Sequence, residues 1–172
     1  GHILREYTRI HGLRRPEAMN PGVYHVSHFN EAKKMIARCE ALIETADAIQ
    51  GSIPAEAQAS FFGLVYYPAV AGMNLQLMSL YAALNNWYAK FGASAANGYA
   101  DQVEAAIVRD EVLTKYYNEG MAEGKWKGMM MSSHACFVTW NEEGWHFPET
   151  TRVEPQKGSR LLVHAEQADR FV

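Results

Sequence analysis

The chain has 172 residues, of which 48% are hydrophobic and 20% are charged, so it can bury a sizeable core. Its formal net charge of -3 argues against nucleic-acid or anionic-membrane partners, which favour a basic surface. No apolar run approaches the ~20 residues that cross a bilayer, and the first residues show no signal-peptide pattern.

The N-terminal part predicts a short helix followed by an irregular stretch. Apolar side chains recur with helical spacing over residues 3–15. Pro16 then ends the helix, because the residue before a proline is pushed away from helical angles. Residues 23–28 are predicted to be extended. The first residues read as the middle or end of a helix, so we interpret the chain as a piece of a longer protein.

A second helix is predicted from near Ser27 or Asn30, both acceptable N-caps, to about Gln50. Its apolar positions follow steps of three and four residues, which is close to a heptad pattern and predicts near-antiparallel packing on a neighbour. These positions are Phe29, Ala32, Ile36, Cys39, Ile43, Ala46 and Ile49.

The longest apolar-periodic stretch covers residues 54–91, and the rest of the fold is expected to pack around it. Pro68 lies inside it and predicts a kink or a break, with a shorter helical piece over about 55–67 and a long one over about 69–91. Gly92 suits the position after the helix, since glycine tolerates left-handed angles. The apolar positions of the long piece are Val70, Met73, Leu77, Leu80, Leu84, Trp87 and Phe91.

A third long helix is predicted over residues 95–123, with Ser94 as its cap. Asp110 falls near the apolar side, so its carboxylate should be either half exposed or paired. Short loops between long helices imply antiparallel neighbours. The inward positions are predicted to be Tyr99, Val103, Ala106 or Ile107, Leu113, Tyr116 and Tyr117.

Residues after Gly124 change in character. Residues 125–131 could add a helical turn, while 135–140 and 160–163 have β-favouring compositions. The sequence therefore predicts an all-α fold: an antiparallel helical bundle of three long helices plus shorter ones. We expect a bundle domain at 1–132 and an extended or β C-terminal tail at 133–172, where a following β-domain would begin.

The histidines and cysteines do not form a recognisable metal or nucleophile motif. His25 and His28 are three residues apart, and the only Glu-x-x-His, from Glu143 to His146, stands in a predicted loop. Zinc sites want paired ligand spacings, and di-iron bundles need two Glu-x-x-His motifs on facing helices. We therefore expect no metal, no cofactor and no catalytic residue within the chain. Cys39 and Cys136 are either free thiols or a disulfide; the sequence leaves both open.

Residues 140–147 form the one polar-aromatic loop of the sequence, Trp-Asn-Glu-Glu-Gly-Trp-His-Phe. Flat aromatic faces beside carboxylates suit the binding of sugar rings. The alternative is that these aromatic side chains simply pack the loop onto the bundle. The three methionines at 129–131 are read first as core filler and second as a binding surface.

One block of the sequence resembles glycoside hydrolase family 115, the large multidomain xylan α-1,2-glucuronidases. The block comprises Tyr116-Tyr117-Asn118-Glu119, Gly124-Lys125-Trp126, Met129-Met130, His134, Phe137 and Trp140. Weaker likenesses lie upstream at Arg14-Arg15-Pro16-Glu17, Asn30-Glu31-Ala32 and from Phe61 to Pro68, and downstream from Leu162 to Glu166. Two stretches depart from the family pattern: Lys127-Gly128 replaces Asn-His, and residues 141–144 replace a Gln-Gln-Pro-like turn.

The resemblance implies that the chain is the helical domain that follows the catalytic domain, plus the start of a C-terminal β-domain. The catalytic carboxylates of the parent would lie outside this chain, and the parent would hydrolyse a glycosidic bond with a pair of carboxyl groups. The fragment alone should not be an enzyme. It would scaffold the catalytic domain and shape the substrate cleft or an oligomer interface. The cleft candidates are Trp126, His134, Trp140, Glu142, Glu143 and Trp145.

The resemblance also sets expectations for partners and location. The partners would be the other domains of the same parent chain, with a homo-oligomer as a further arrangement, and the parent would be secreted or periplasmic. A different hypothesis remains open, in which the chain is a free-standing helical interaction module without an enzymatic parent. The length of the surrounding reading frame separates the two.

Overall fold

The computed structural model describes residues 1–132, 134 and 147–154. Three helices of 20, 24 and 21 residues dominate it, and the described residues contain no β-strand, so the predicted all-α class is confirmed. The α-helices are α1 His2–Leu13, α2 Glu31–Gln50, α3 Ala55–Phe61, α4 Tyr67–Lys90 and α5 Ala95–Lys115. Short 3₁₀ turns cover Pro16–Ala18 and Met121–Gly124, and π-helical segments cover Phe62–Tyr66 and Tyr116–Gly120.

Helix α4 is the centre of the fold. Every residue from Ala69 to Asn85 except Leu75 is buried, including polar ones. A helix buried on all sides must be surrounded by other elements. The sequence predicts a single apolar stripe here, whereas α1, α2 and α5 all pack against α4.

Helices α4 and α5 run antiparallel, as hydrogen bonds between them show. Near the connecting loop, Asn85 Nδ2 donates to the carbonyl of Ala96 at 2.8 Å. Further from the loop, Asn74 Nδ2 donates to the carbonyl of Ala106 at 2.8 Å. The loop is closed at Gly92, whose φ of +65° is left-handed as predicted.

Helix α2 is also antiparallel to α4. The Tyr66 hydroxyl, just before α4, donates to Asp47 near the end of α2 at 2.6 Å. Further along, the Tyr81 hydroxyl donates to Glu40 at 2.6 Å. Burial, and then the neighbouring carboxylate, raises the pKa of each of these two tyrosines. The predicted antiparallel arrangement of the three long helices therefore holds.

Helix α1 packs closely on α4 at Gly72. A Cβ atom at this glycine would lie 2.7 Å from the His11 ring and 3.3 Å from Tyr7, so only glycine allows this approach. The two rings contact each other, with centroids 4.2 Å apart. Gln76 Nε2 donates to the carbonyl of Arg14 at 2.7 Å and fixes the end of α1.

The interruption predicted near Pro68 is a π turn between two α-helices and not a full break. The chain passes from α3 into one π-helical turn over Phe62–Tyr66 and then directly into α4, where Pro68 is in the first turn. A first-turn proline lacks only an N–H that has no partner inside the helix anyway. The wider π turn lets the helical path continue where a regular α-helix would clash with the ring.

The start of α2 differs from the prediction. Asn30 stands at the N-cap with a left-handed φ of +54°, but its side chain makes no capping hydrogen bond in the described part of the chain. Residues 23–28 form bends and not an extended segment, because the ring of His25 accepts the backbone amides of Ser27 and His28. Phe29, predicted to be buried, is 78% exposed.

Helix α2 keeps the middle of its predicted apolar face. Cys39 is fully buried as a free thiol, and burial raises its pKa to about 12. Ile49 at the end of the helix is 37% exposed, so the predicted face ends before it. Cys136 lies outside the described residues, but the free Cys39 thiol shows that the disulfide left open by the sequence is not formed.

Candidate functional site

The third long helix ends earlier than predicted and gives way to a tightly folded segment. The α-helical geometry stops at Lys115, and the predicted helix to residue 123 is replaced by the π turn Tyr116–Gly120 and a reversal in which Ala122 and Glu123 both have left-handed angles. Tyr116, predicted to point inward, is 43% exposed. Residues 125–131 continue as turns and bends, not as a helical turn.

Asn118 holds this segment together from the π turn. Its Nδ2 donates to the carbonyls of Thr114 at 2.9 Å and Met130 at 3.0 Å. Its Oδ1 accepts from the amides of Gly128 at 2.9 Å and Met130 at 3.1 Å. The side chain is buried, and its carboxamide donates two hydrogen bonds and accepts two. We call residues 125–131 the Asn118 loop.

The Asn118 loop presents an aromatic side chain and cations to the surface. Trp126 is 40% exposed, and the Lys125 ammonium lies 5.2 Å from its ring centroid, a cation–π contact. Met130 packs against the core, whereas Met129 and Met131 are 62% and 72% exposed. The methionine run is therefore core filler at one position only.

His134 binds a buried carboxylate. Its Nδ1 lies 3.0 Å and 3.1 Å from the two carboxylate oxygens of Asp110, whose side chain is 1% exposed. His134 lies in irregular backbone. Asp110 is paired and buried, which settles the alternative left open by its position near the apolar side of α5.

The geometry of this pair fixes the proton on one ring nitrogen. A carboxylate only accepts hydrogen bonds, so Nδ1 of His134 must carry a hydrogen. A carboxylate that accepts from Nδ1–H orients the imidazole ring, as in many acid–base and positioning arrangements. The same pair also ties residue 134 to α5, which is a structural role.

Aromatic side chains surround the inner face of this site. The Tyr67 ring lies 4.7 Å from Tyr117 and 5.9 Å from Phe62, between centroids, and its hydroxyl is 3.5 Å from Thr114 Oγ1. Burial raises the pKa of Tyr67, with a smaller contribution from the nearby charge of Asp110. The tyrosine therefore stays a neutral donor beside the Asp110–His134 pair.

The structure describes only two of the six cleft candidates, Trp126 and His134. Trp126 lies on the outer surface of the Asn118 loop, and His134 is directed at the carboxylate of α5, so the two have different environments. The other four lie outside the described residues: Trp140, Glu142, Glu143 and Trp145.

Sequence reasoning missed the partner of His134 and the role of Asn118. Asp110 and His134 are 24 residues apart, so their contact depends on the chain reversal after α5. A signal for Asn118 did exist, since asparagine is unfavourable inside helices and often binds backbone groups. His25 and His28 stack on each other at 3.9 Å, and within the described ranges no group of three potential ligands could hold a metal ion.

Comparisons with known proteins add no family assignment. No protein-family model matches the sequence, and no curated protein matches it. Among the helices that the structure describes, none has the length and apolarity of a membrane span. The case for a function therefore depends on the sequence resemblance and the site geometry.

Proposed function

We propose that the chain is the non-catalytic helical domain of a glycoside hydrolase family 115-like α-glucuronidase that acts on the side chains of glucuronoxylan. In this role it scaffolds the catalytic domain, and the Asn118 loop contributes to the substrate cleft. The support from the sequence is the resemblance in the block that starts at Tyr116. The support from the geometry is that the first part of this block, residues 116–131, folds around the Asn118 side chain.

The observation that carries the proposal is the presentation of Trp126. Asn118 fixes the backbone of the loop through four hydrogen bonds, which holds a half-exposed indole and the adjacent Lys125 ammonium in place. An indole face can stack on a sugar ring, and an ammonium group can pair with a sugar carboxylate. Glucuronic acid carries both features, so it suits this surface.

Binding of a glucuronic-acid-substituted xylooligosaccharide tests the cleft role. We expect the tryptophan fluorescence of the full chain to change on titration, and less so with the unsubstituted oligosaccharide. Trp126→Ala should abolish the response, whereas Trp87→Phe, which changes an indole on α4, should keep it. No response to the substituted sugar, or an equal response in both variants, would contradict the role of the loop.

An activity assay tests the non-catalytic part of the proposal. The full chain should release no glucuronic acid from glucuronoxylan, since the proposed catalytic carboxylates belong to the parent. Turnover that is abolished by Glu142→Gln or Glu143→Gln would overturn this assignment.

A helical interaction module is the second candidate, favoured by an apolar stripe on α5. Val108, Val112 and Tyr116 are spaced four residues apart, are 56%, 61% and 43% exposed, and therefore share one face. A groove of about 360 Å³ between α2 and α5 adjoins the two valines. Exposed apolar surface of this kind marks an interface with another domain or protein. Sequencing the surrounding reading frame discriminates: the first candidate requires a long upstream catalytic segment.

A further inference from the structure

Residues 147–154 cross the end of the α4–α5 hairpin, and the main chain of this strap is bound by an asparagine of α4. Asn85 Oδ1 accepts from the amide of Thr151 at 2.8 Å, and Asn85 Nδ2 donates to the carbonyl of the same residue at 2.9 Å. One carboxamide thus pairs with both backbone groups of one residue, as a neighbouring β-strand would.

A second asparagine repeats the arrangement two residues further on. Asn97 Oδ1 accepts from the amide of Val153 at 2.8 Å, and Asn97 Nδ2 donates to its carbonyl at 2.9 Å. Alternate residues of an extended chain point their N–H and C=O groups to the same side, so the two asparagines bind one edge of an extended segment. We call the pair Asn85 and Asn97 the clamp.

The helices of the bundle carry both residues of the clamp. Asn85 is 0% exposed, and its remaining N–H donates to the carbonyl of Ala96 at 2.8 Å, which locks the orientation of the carboxamide. Asn97 is in the first turn of α5, on the other side of the hairpin loop. Both groups belong to helices of the bundle, so their spacing does not depend on the strap.

One side chain of the strap forms two ion pairs with α5. Arg152, between the two clamped residues, lies 2.8 Å from a carboxylate oxygen of Asp101 and 2.7 Å from one of Glu104. All three side chains are half exposed or more, so these ion pairs stabilise the strap modestly and are screened by salt. At the start of the strap, Phe147 packs against the core.

We propose that the clamp is a peptide-binding site that reads extended backbone, with the strap as its resident intramolecular ligand. It would accept in trans an extended peptide in which a basic residue stands between two residues with free backbone N–H groups. Main-chain pairing would give the affinity, as in β-strand addition, and Asp101 and Glu104 would select the basic residue. The tethered strap has an effective concentration near millimolar, so it keeps other peptides out until it is released.

The test releases the strap without changing the clamp. In the full chain, Thr151→Pro combined with Val153→Pro removes both strap N–H donors, while Asn85 and Asn97 stay intact. A fluorescent, end-capped peptide of residues 147–154 is then titrated by anisotropy. We expect binding at least about tenfold tighter than to the wild-type chain, because the competing strap is gone.

Three controls assign the binding to the clamp. Adding Asn97→Ala to the released chain should weaken peptide binding at least about tenfold, whereas Asn86→Ala, an exposed asparagine of α4, should not. A peptide carrying both proline substitutions should not bind. Absence of peptide binding to the released chain, or binding that Asn97→Ala leaves unchanged, would overturn the proposal.

Hydrogen exchange of the wild-type chain gives an independent measurement. The Thr151 and Val153 amides should exchange slowly, and Asn97→Ala should accelerate the Val153 amide. Fast exchange of both amides in the wild-type chain would show that the clamp does not hold backbone and would also overturn the proposal.

Discussion

Two regions of the molecule are held together by different physical means. The bundle through residue 115 is held by apolar packing around α4. The segments that follow add a few apolar side chains to that core, among them Met121, Met130 and Phe147, and their backbone is held by hydrogen bonds from single polar side chains. Three asparagines, Asn118, Asn85 and Asn97, each pair with both backbone groups of one residue. The comparison teaches that irregular chain can be fixed in place without a core or a sheet of its own.

The energies of the two mechanisms should differ. Apolar burial is collective and contributes roughly 1.5–3 kcal/mol for each large side chain. A hydrogen bond contributes only about 0.5–1.5 kcal/mol net, but an unpaired buried backbone group costs up to about 3 kcal/mol. Substitutions in the core should therefore unfold the bundle, while substitutions of the three asparagines should release the attached segments locally.

The largest effect is expected from Ile36→Asp in the middle of α2. Ile36 is 8% exposed, and a buried unpaired carboxylate should destabilise the fold by more than about 4 kcal/mol. Ile49→Asp, on the exposed end of the same helix, is the matched control. Urea unfolding that shows similar midpoints for both variants would contradict the assigned core.

A smaller loss is expected from His134→Ala, which connects the two regions. The substitution leaves the buried Asp110 carboxylate without this partner and should cost about 3 kcal/mol. Asp110→Leu combined with His134→Leu removes both polar groups and should recover most of the stability. A His134→Ala chain with unchanged stability would mean that the pair contributes nothing.

The next largest loss of stability, about 2 kcal/mol, is expected from Asn118→Ala, because it removes the hydrogen-bond partner of three backbone groups of the loop. The amides of Gly128 and Met130 should exchange faster, while the amides of α4 stay protected. Asn86→Ala serves as the control for removing an asparagine. Uniform loss of protection across the bundle would instead place Asn118 among the residues that hold the core.

Substitution of the glycine at the α1–α4 contact should lower the free energy of unfolding by about 1–2 kcal/mol. Gly72→Ala places a methyl group 2.7 Å from the His11 ring and should lower the melting temperature. Gly98→Ala, in α5 with open space around it, should raise stability by roughly 0.5–1 kcal/mol because alanine favours the helix. Equal changes in the two variants would show that α1 does not pack as described.

The smallest effect is a pH dependence from His11. Burial lowers the pKa of His11 below its ordinary value of 6.5, so as the pH falls the unfolded chain binds the proton first. Stability should therefore fall as the pH drops below 6.5, with no contribution from His11 above it. His11→Gln should flatten the profile, and His2→Gln at the exposed start of α1 should not. If the free energy of unfolding of the wild-type chain relative to His11→Gln is the same at pH 7.5 and pH 5.5, this coupling is excluded.

The sequence predicts the bundle well because burial repeats with the period of the helix. The apolar positions from Val70 to Leu84 are all in the core, and the antiparallel order follows from the short loops. The backbone details were harder to predict from the sequence, since the π turn before Pro68 depends on a local clash with the proline ring. The bends before α2 likewise depend on the His25 ring, which accepts the amides of Ser27 and His28.

The site was predictable only in part. The sequence singles out Trp126 and His134, and the structure describes both. The contact of His134 with Asp110 has no periodic signature, because it arises from a chain reversal at two left-handed residues. The clamp was not predicted at all, since two isolated asparagines and a distant extended segment share no pattern in the sequence.

The π turn at Phe62–Tyr66 makes the number of residues between α3 and α4 part of the fold. Each residue of an α-helix turns the chain by about 100°, and a π turn holds one extra residue within nearly the same rotation. Deleting any one of these five residues would therefore leave α3 and α4 nearly in phase, but it would place the Pro68 ring against the carbonyl group four residues before it, as in a regular α-helix. Substitutions in this stretch keep the extra residue, while a single-residue deletion removes the room for the proline ring.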